Sequence, residues 1–352
     1  MKSQSTAFIA SLLAATARAT PYTLIDNFNA SNFFSGFSFF DAPDPTHGFV
    51  NYASAQVASQ QGLAGYVNNM VYLGVDHITA DPATGRASTR VTSNTAYQRG
   101  LFVADIAHMP VGCGVWPAFW TLGPNWPAGG EIDIVEGVNS QTTDTITLHT
   151  APGCVMSNTG STAGTVYTAG TASFDCGAGN GNTGCSLATA DAQGYGDAFN
   201  ANGGGVYAME LASSAISVWF FPRGSAMAAQ LSAGGGAPPD TATFGTPTAR
   251  FSGCDVDAYF AAQQIVLDTT LCGDWAGNVW SQDATCAARG SSCAAYVAQN
   301  PDAFVDAYWL INSIQVYQAA ASAGPIRGNG SSSRKRRTAP PSRGVVPTPF
   351  LA

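Results

Sequence analysis

A short stretch rich in carboxyl groups carries the clearest chemical signal in the sequence. Glu131, Asp133 and Glu136 are spaced as Glu-x-Asp-x-x-Glu, with apolar residues between them. Residues two apart in a β-strand point to the same face, so Glu131 and Asp133 share one face. Glu136 comes one residue too late for that face, and a β-bulge near Ile134-Val135 would return it there. The pattern therefore predicts three acids in a row on one face of a sheet.

Three crowded acids are suited to cleaving a glycosidic bond with retention of configuration. Like charges at close range raise at least one pKa, and this reaction needs one ionised and one protonated carboxyl group about 5–5.5 Å apart. Glu131 would attack the anomeric carbon, and Glu136 would protonate the leaving oxygen and later deprotonate water. Asp133 would hold a proton and hydrogen-bond Glu131. A solvated acidic strand edge and a calcium site are the alternatives.

Tryptophans precede the acidic stretch. Trp120 ends Trp-Pro-Ala-Phe-Trp, and its apolar setting predicts a place in the core. Trp126 lies in a loop rich in proline and glycine, five residues before Glu131. An aromatic face can cover the C–H groups of a sugar, so a stacking platform is the preferred role for Trp126.

The elements that must position these residues are mostly short strands. Residues 206–211, 216–221 and 309–317 alternate between apolar and polar types, as half-buried strands do. Helical patterns are few, and the best candidates are 293–299 and 301–307. Many strands without interleaved helices predict an all-β fold, a sandwich or jelly roll of two antiparallel sheets.

The two ends of the chain differ in composition from the middle. Residues 1–19 have the form of a secretory signal peptide, which predicts a secreted, extracellular protein. Residues 20–320 contain no linker and can form one catalytic domain, and no apolar run is long enough for a membrane anchor. Residues 321–352 are basic and rich in proline, a composition typical of a disordered tail. Their cluster at 334–337 also fits a processing site or a patch that adheres to a cell wall.

The eight cysteines predict disulfides. An even count in an exported chain favours bridges, and the absence of a Cys-x-x-Cys pair argues against zinc. About 105 pairings remain open. Residues 154–205 are rich in glycine and threonine and are interpreted as surface loops stapled by these bridges. Asn29 and Asn329 start sequences that can accept an N-linked glycan.

Charge and composition narrow the class of partner. Charged residues make up 10% of the chain and the formal net charge is −8, which argues against nucleic acid and anionic lipid. Few charges with 11% aromatic residues suit a neutral, polar ligand such as a carbohydrate. We expect a monomer that needs no cofactor and has no metal among its site residues.

The acidic stretch and its surroundings carry a family resemblance. Residues 114–139, which read GVWPAFWTLGPNWPAGGEIDIVEGVN, resemble the active-site strand of glycoside hydrolase family 16, and most closely its fungal endo-β-1,3(4)-glucanases, or laminarinases. Ordered matches from about Tyr22 to Tyr317 extend the resemblance over the whole mature domain. It implies a jelly roll with a concave cleft and a retaining mechanism that acts on β-1,3-glucan or mixed-linkage β-glucan.

The resemblance also implies site residues. Glu131 corresponds to the nucleophile, Asp133 to its helper and Glu136 to the acid/base. His149, on a neighbouring strand, would contact Asp133 or the sugar, and further residues would line the cleft: Trp126, Trp275, Asp274, Arg90 and Asn94. A loop-capping role for Asp274 is equally plausible. The ligands of the family's calcium site could not be identified in this sequence.

Three other functions fit parts of the sequence. A wall-remodelling transglycosylase would use the same acids, although the bulged Glu-x-Asp-x-x-Glu spacing favours the laminarinase branch. A non-catalytic β-glucan-binding protein would typically lack the glutamates. A structural wall protein would explain the low charge but leaves the acidic strand unexplained.

Overall fold

The computed structural model describes residues 22–162, 165–167, 175–179, 183–233, 238–319 and 346–350. The predicted signal peptide, the glycan acceptor Asn329 and the basic cluster at 334–337 lie outside these residues. Within the described ranges, no helix is long and apolar enough to cross a membrane.

Strands dominate the fold. In chain order they are β1 (Tyr22–Asn29), β2 (Phe37–Phe39), β3 (Val50–Tyr52), β4 (Ala64–Val67), β5 (Met70–Gly74), β6 (Arg86–Ser88), β7 (Arg90–Tyr97), β8 (Gly100–His108), β9 (Val115–Leu122), β10 (Glu131–Glu136), β11 (Thr145–His149), β12 (Thr165–Tyr167), β13 (Cys185–Ala188), β14 (Gly205–Ala212), β15 (Ala215–Pro222), β16 (Ala249–Phe251), β17 (Gln263–Leu271) and β18 (Tyr308–Ala319).

Two eight-stranded antiparallel sheets form the sandwich. The first sheet has the order β16-β15-β14-β8-β18-β5-β4, with β1 paired to β18. The second has the order β12-β13-β11-β10-β9-β17-β7-β2 and therefore carries the acidic strand near its middle. A small parallel pair, β3 and β6, lies apart from both sheets. The predicted all-β fold of two antiparallel sheets is confirmed.

The helices are short and lie in the connections. They are α1 (Phe33–Gly36), α2 (Ala55–Gln60), α3 (Gly196–Ala201), α4 (Ala226–Ser232), α5 (Val256–Tyr259), α6 (Ala284–Ala287) and α7 (Cys293–Gln299). Single turns of 3₁₀-helix cover Ala192–Gly194, Thr241–Thr243, Trp280–Gln282 and Pro301–Phe304, and Gly273–Gly277 forms a π-helical turn. The predicted helix at 293–299 is confirmed, whereas the one predicted at 301–307 is only a 3₁₀ turn.

The main core fills the space between the two sheets. Ile132 and Ile134 of β10 are completely buried there, together with Ile146 of β11 and Val316 of β18. Each such side chain contributes about 1.5–3 kcal/mol by leaving water. This burial fixes which face of β10 points inward, and the acids consequently occupy the opposite face.

Four disulfides use all eight cysteines. Cys113–Cys286 and Cys272–Cys293 tie the loops at one end of β9 and β17 to α6 and α7. Cys154–Cys254 and Cys176–Cys185 staple the long stretch that follows β11. The interpretation of residues 154–205 as surface loops is wrong in part, because β13 joins the second sheet and its residues Cys185–Leu187 are buried.

The end of the C-terminal tail is docked on the sandwich. Thr348 forms an isolated bridge with Tyr66 of β4, and Phe350 stacks against Phe34. The prediction of a disordered tail therefore fails for residues 346–350, because these residues pair with a strand and bury an aromatic ring. Residues 320–345 lie outside the described part of the chain.

Candidate active site

The register of β10 contains the predicted bulge. Glu131 pairs with Leu122 of β9 and Asp133 pairs with Trp120, but the register then shifts so that Val135 pairs with Phe119. Ile134 is the extra residue. Because the shift restores the alternation, Glu136 joins Glu131 and Asp133 on the open face of the second sheet.

Asp133 is the centre of the row. It is 2% exposed and shares a side-chain hydrogen bond with Glu131. His149 pairs in register with Glu131 from β11, and its Nε2 lies 3.4 Å from Oδ2 of Asp133. This places His149 next to Asp133 on the adjacent strand, as the family resemblance implies. A carboxyl group enclosed in this way can keep a proton while its neighbour ionises.

Glu136 is held from two sides by residues that the sequence did not single out. The indole N–H of Trp116 donates a hydrogen bond to Oε1 of Glu136 at 2.8 Å. The backbone N–H of Glu136 donates to Oδ1 of Asp144, also at 2.8 Å. Trp116 lies on the same face of β9 as Trp120 and Leu122, so alternation along that strand is the signal that could have found it. Asp144 carries no comparable local signal.

Burial raises the pKa of every acid in the row. For Glu131 burial and the charge of Asp133 raise the pKa to about 8, while His149, a hydrogen bond from Trp126 and the charge of Arg90 oppose the rise. The pKa values of Asp133 and Glu136 are raised well above the ordinary range, again mainly by burial. More interactions lower the pKa of Glu131 than lower that of Asp133 or Glu136. Glu131 is therefore the acid that this site is best arranged to ionise.

Another buried carboxyl group, that of Asp268, lies beside the three acids. Asp268 of β17 accepts a hydrogen bond from Nε1 of Trp120 at 3.2 Å, and burial raises its pKa to about 6. Arg90, 8% exposed, lies 3.8 Å from Asp268, and its guanidinium faces the rings of Phe40, Trp120 and Tyr52 at 4.6, 5.0 and 6.0 Å. The structure thus holds Arg90 in an aromatic cage, with little surface left for a sugar.

Trp120 is buried in a hydrophobic cluster, as its apolar setting predicts, and this cluster lies on the acidic face of the second sheet. It packs with Ala118 and Val266 in a small cluster separate from the core between the sheets. The reason is its register opposite Asp133, which puts the side chain on the acidic face.

The predicted aromatic platforms lie at the two ends of the acidic row. Trp126 is 44% exposed and donates a hydrogen bond to Glu131. Trp275 packs edge-to-face on Trp116, with ring centroids 5.7 Å apart, and Trp116 in turn bonds Glu136. The two rings therefore flank the row of acids at its opposite ends.

The two remaining predicted residues, Asp274 and Asn94, both contact polar groups of the protein. Asp274 pairs with Nδ1 of the exposed His47 at 2.9 Å, and this contact raises the pKa of His47. Asn94 lies on β7, three strands from β10, and its amide bonds Ser35 and Ser38. Asn94 is not brought together with the acids, because β17 and β9 lie between its strand and β10.

Within the described residues, two of these acids and His149 lie close enough together to bind a metal ion. Single ligand atoms of Glu131, Asp133 and His149 lie within 4.8 Å of one another. Binding a cation there would require the loss of carboxyl protons that burial favours. The arrangement is better suited to holding and moving protons.

Comparison with known proteins places this site in a family. Residues 37–317 match the model of the XgeA-like catalytic domain of glycoside hydrolase family 16. A probable endo-1,3(4)-β-glucanase of Aspergillus fumigatus is 42% identical over 96% of this chain. The match covers 54% of that relative, so the chain spans about half the length of such relatives.

Two solved structures are similar over most of the chain. Laminarinase 16A of Phanerochaete chrysosporium, with 6-O-glucosyl-laminaritriose in its donor and acceptor sites, is 42% identical with a TM-score of 0.76, covering 84% of this chain and 99% of its own. An elongating family 16 β-1,3-glucosyltransferase is 40% identical with a TM-score of 0.74, covering 84% of this chain and all of its own. The chain therefore belongs to glycoside hydrolase family 16, in its XgeA-like group.

Proposed function

We propose that this protein is a secreted endo-β-1,3(4)-glucanase that hydrolyses laminarin-type and mixed-linkage β-glucan with retention of configuration. The observation that carries the proposal is the bulge in β10, which aligns Glu131, Asp133 and Glu136 on one open face. The exposed ring of Trp126 and the Trp116–Trp275 pair at the two ends of this row support a polymeric sugar substrate.

In the first step Glu131 attacks the anomeric carbon while Glu136 protonates the leaving oxygen. The indole N–H of Trp116 donates to Oε1 of Glu136, and because a carbonyl oxygen accepts better than a hydroxyl oxygen, this bond favours the acidic proton on Oε2. The bond from the anomeric carbon to the leaving oxygen breaks as the bond to Glu131 forms. Burial raises the pKa of Asp133 well above its ordinary range, so Asp133 keeps its proton, and once Glu131 is ionised it can only accept in the hydrogen bond between them.

In the second step water replaces the released sugar. Glu136, now ionised, takes a proton from the water, whose oxygen attacks the anomeric carbon and displaces Glu131. Two inversions at the same carbon give net retention. His149 stays in contact with Asp133 throughout and favours a negative charge on Glu131.

The test is hydrolysis of laminarin followed by the release of reducing ends. We expect Glu131→Gln and Glu136→Gln to abolish activity, while Glu210→Gln, a change at the third glutamate of the chain on β14, leaves it intact. With added azide, Glu131→Ala should give the α-glycosyl azide and Glu136→Ala the β-glycosyl azide. Full activity of Glu131→Gln, or binding without hydrolysis by the wild type, would contradict the proposal.

Transglycosylation is a second candidate function. The similarity to the elongating β-1,3-glucosyltransferase at 40% identity favours it, since a sugar hydroxyl can replace water in the second step. Mass spectrometry of products from short laminari-oligosaccharides separates the two reactions. Products longer than the substrate without new reducing ends would indicate transfer, and shorter products with new reducing ends would indicate hydrolysis.

A further inference from the structure

The docked C-terminal segment, residues 346–350, extends one sheet of the sandwich. The backbone N–H of Thr348 donates to the carbonyl of Tyr66 at 2.7 Å, and the N–H of Tyr66 donates to the carbonyl of Thr348 at 2.9 Å. Tyr66 belongs to β4, the last strand of the first sheet in its order. The segment therefore satisfies backbone groups of an edge strand that would otherwise face solvent.

The segment also reaches the other sheet through one aromatic ring. Phe350 stacks on Phe34 with centroids 3.8 Å apart and on Phe39 with centroids 5.5 Å apart. Phe39 lies on β2, the last strand of the second sheet in its order, and Phe34 lies on α1 just before it. A single pentapeptide thus bridges the two sheets along one open side of the sandwich.

Two glycines, Gly62 and Gly65, lie against the segment. An added Cβ at Gly65 would lie 2.2 Å from the carbonyl oxygen of Thr348 and 3.0 Å from Cβ of Pro347. The three nearest atoms at that position all belong to the segment. At Gly62 the nearest atoms also belong to Pro347. Gly65 therefore leaves room for this peptide, whose backbone approaches β4 closely, whereas a Cβ at Gly62, 3.8 Å from Pro347, would make an ordinary contact.

The sequence of the segment suits a terminating edge strand. Pro347 and Pro349 flank Thr348 and hold the backbone extended, and neither has an N–H to offer to a further strand. Thr348 is therefore the residue that can pair with β4 through both its backbone groups, and Phe350 follows two residues later as the anchor. Strand addition with one aromatic anchor is a common way of binding a peptide.

We propose that the groove between β4 and β2 is a peptide-binding site whose ligand is residues 346–350 of the same chain. The site lies outside the acidic row, so the inference does not depend on the proposed glucanase activity. It assigns Gly65 as the residue that admits the peptide backbone and the pair Phe34 and Phe39 as the receptor for the Phe350 ring.

Hydrogen exchange of the full-length chain gives the first test. We expect the amide of Tyr66 to be protected in the wild type and to exchange at least about tenfold faster in Gly65→Ala and in Phe350→Ala. Gly179→Ala is the matched control, because a Cβ there meets nothing within 4 Å. Amides of β5, paired to the other edge of β4, should keep their protection in every variant. Equal exchange at Tyr66 in the wild type and both variants would overturn the proposal.

A chain that ends at residue 345 gives the second test. The family's catalytic-domain model matches residues 37–317, and the solved laminarinase covers 84% of this chain with 99% of its own length, so the catalytic domain of the family does not include residues 346–350. We expect a synthetic peptide of residues 344–352 to bind the shortened chain saturably and to restore protection of Tyr66. The same peptide with Phe350→Ala, or a shortened chain with Gly65→Ala, should not bind.

Two alternatives to docking within one chain can be tested. Gly65 could have a structural role in the domain, and the segment could be exchanged between two copies of the chain. Gly65→Ala should leave the melting temperature of the shortened chain unchanged, since the three atoms nearest to its methyl group belong to the absent segment. A large drop would show that Gly65 is needed by the rest of the domain and would overturn the assignment. A full-length protein that is protected at Tyr66 only as a dimer would show that a second copy supplies the peptide, which also overturns it.

Discussion

At the scale of single residues, two neighbours of the acids, His149 and Trp116, lower the pKa values of the glutamates. His149 contacts Asp133 and lowers the pKa of Glu131, whereas Trp116 donates to Glu136 and lowers the pKa of that acid. Hydrolysis needs Glu131 ionised and Glu136 protonated. Of the two glutamates Trp116 acts on Glu136, whereas His149 also lowers the pKa of Glu136, so replacing Trp116 should move the basic limb of the pH profile and replacing His149 should move both limbs.

Replacing His149 should move the acidic limb. His149→Gln removes an interaction that lowers the pKa of Glu131, so Glu131 would ionise only at higher pH. We expect the acidic limb of kcat/KM to shift upward and the activity below that limb to fall. A pH profile on laminarin measures this, with His77→Gln, a residue bonded weakly to a backbone carbonyl, as control. An unchanged acidic limb would mean that His149 does not act through Glu131.

Replacing Trp116 should move the basic limb. Trp116→Phe keeps the ring but removes the N–H that donates to Glu136, so the pKa of Glu136 should rise and the acid should stay protonated to higher pH. We expect the basic limb of kcat to move upward while kcat falls by about 10–100-fold, because the acid loses its orienting donor. A downward shift of that limb would contradict the assignment.

At the scale of elements, the bulge in β10 coincides with the end of its pairing to β11. The pairing runs from Glu131 with His149 to Asp133 with Thr147, and beyond it the N–H of Glu136 bonds the carboxyl of Asp144. The side chain of Asp144 thus replaces the backbone acceptor that a continuing strand would provide. It is completely buried, and burial raises its pKa to about 8.

Asp144 should therefore act as a positioning residue. Asp144→Asn retains an acceptor oxygen, and we expect nearly full activity, whereas Asp144→Leu removes it. Because a misplacement of about 1 Å can cost about 100-fold in rate, kcat of Asp144→Leu should fall by about 10–100-fold with KM little changed. Steady-state kinetics with a melting temperature for each variant test this. Equal losses in both variants would show that the carboxyl charge matters rather than the hydrogen bond.

At the scale of the whole molecule, buried acids link stability to pH. Burial raises the pKa of Glu131 and Asp144 to about 8 and of Asp268 to about 6, above ordinary values of about 4. A raised folded-state pKa gives stability that is complete below the unfolded pKa and is lost as pH rises through the folded one. The protein should lose stability between about pH 4 and pH 8.

Melting temperatures across that range test the linkage. We expect a higher melting temperature at pH 5 than at pH 8, and a smaller difference in Asp144→Asn, which has no proton to lose. Asp302→Asn, in the surface 3₁₀ turn Pro301–Phe304, is the control and should keep the wild-type difference. A wild-type protein that is as stable at pH 8 as at pH 5 would rule out proton uptake by these buried acids.

Local patterns accounted for the fold class and for the centre of the site. The alternation of strands, the helix at 293–299 and the bulge before Glu136 follow from residues close in sequence, because side-chain direction repeats every two residues in a strand. The same reasoning correctly predicts that Trp120 is buried, but not on which face of the sheet it lies. Its register opposite Asp133, which local sequence does not encode, put it on the acidic face.

By itself, the sequence determined that this chain forms a two-sheet antiparallel sandwich with an acidic strand whose spacing requires a bulge. Only the tertiary structure decided which distant residues meet that strand, such as Asp144 at Glu136 and His47 at Asp274. It also decided the pairing of the cysteines and the docking of residues 346–350 on β4. The physical reason is that such contacts join segments far apart in the chain, and their geometry is set by packing rather than by any local repeat.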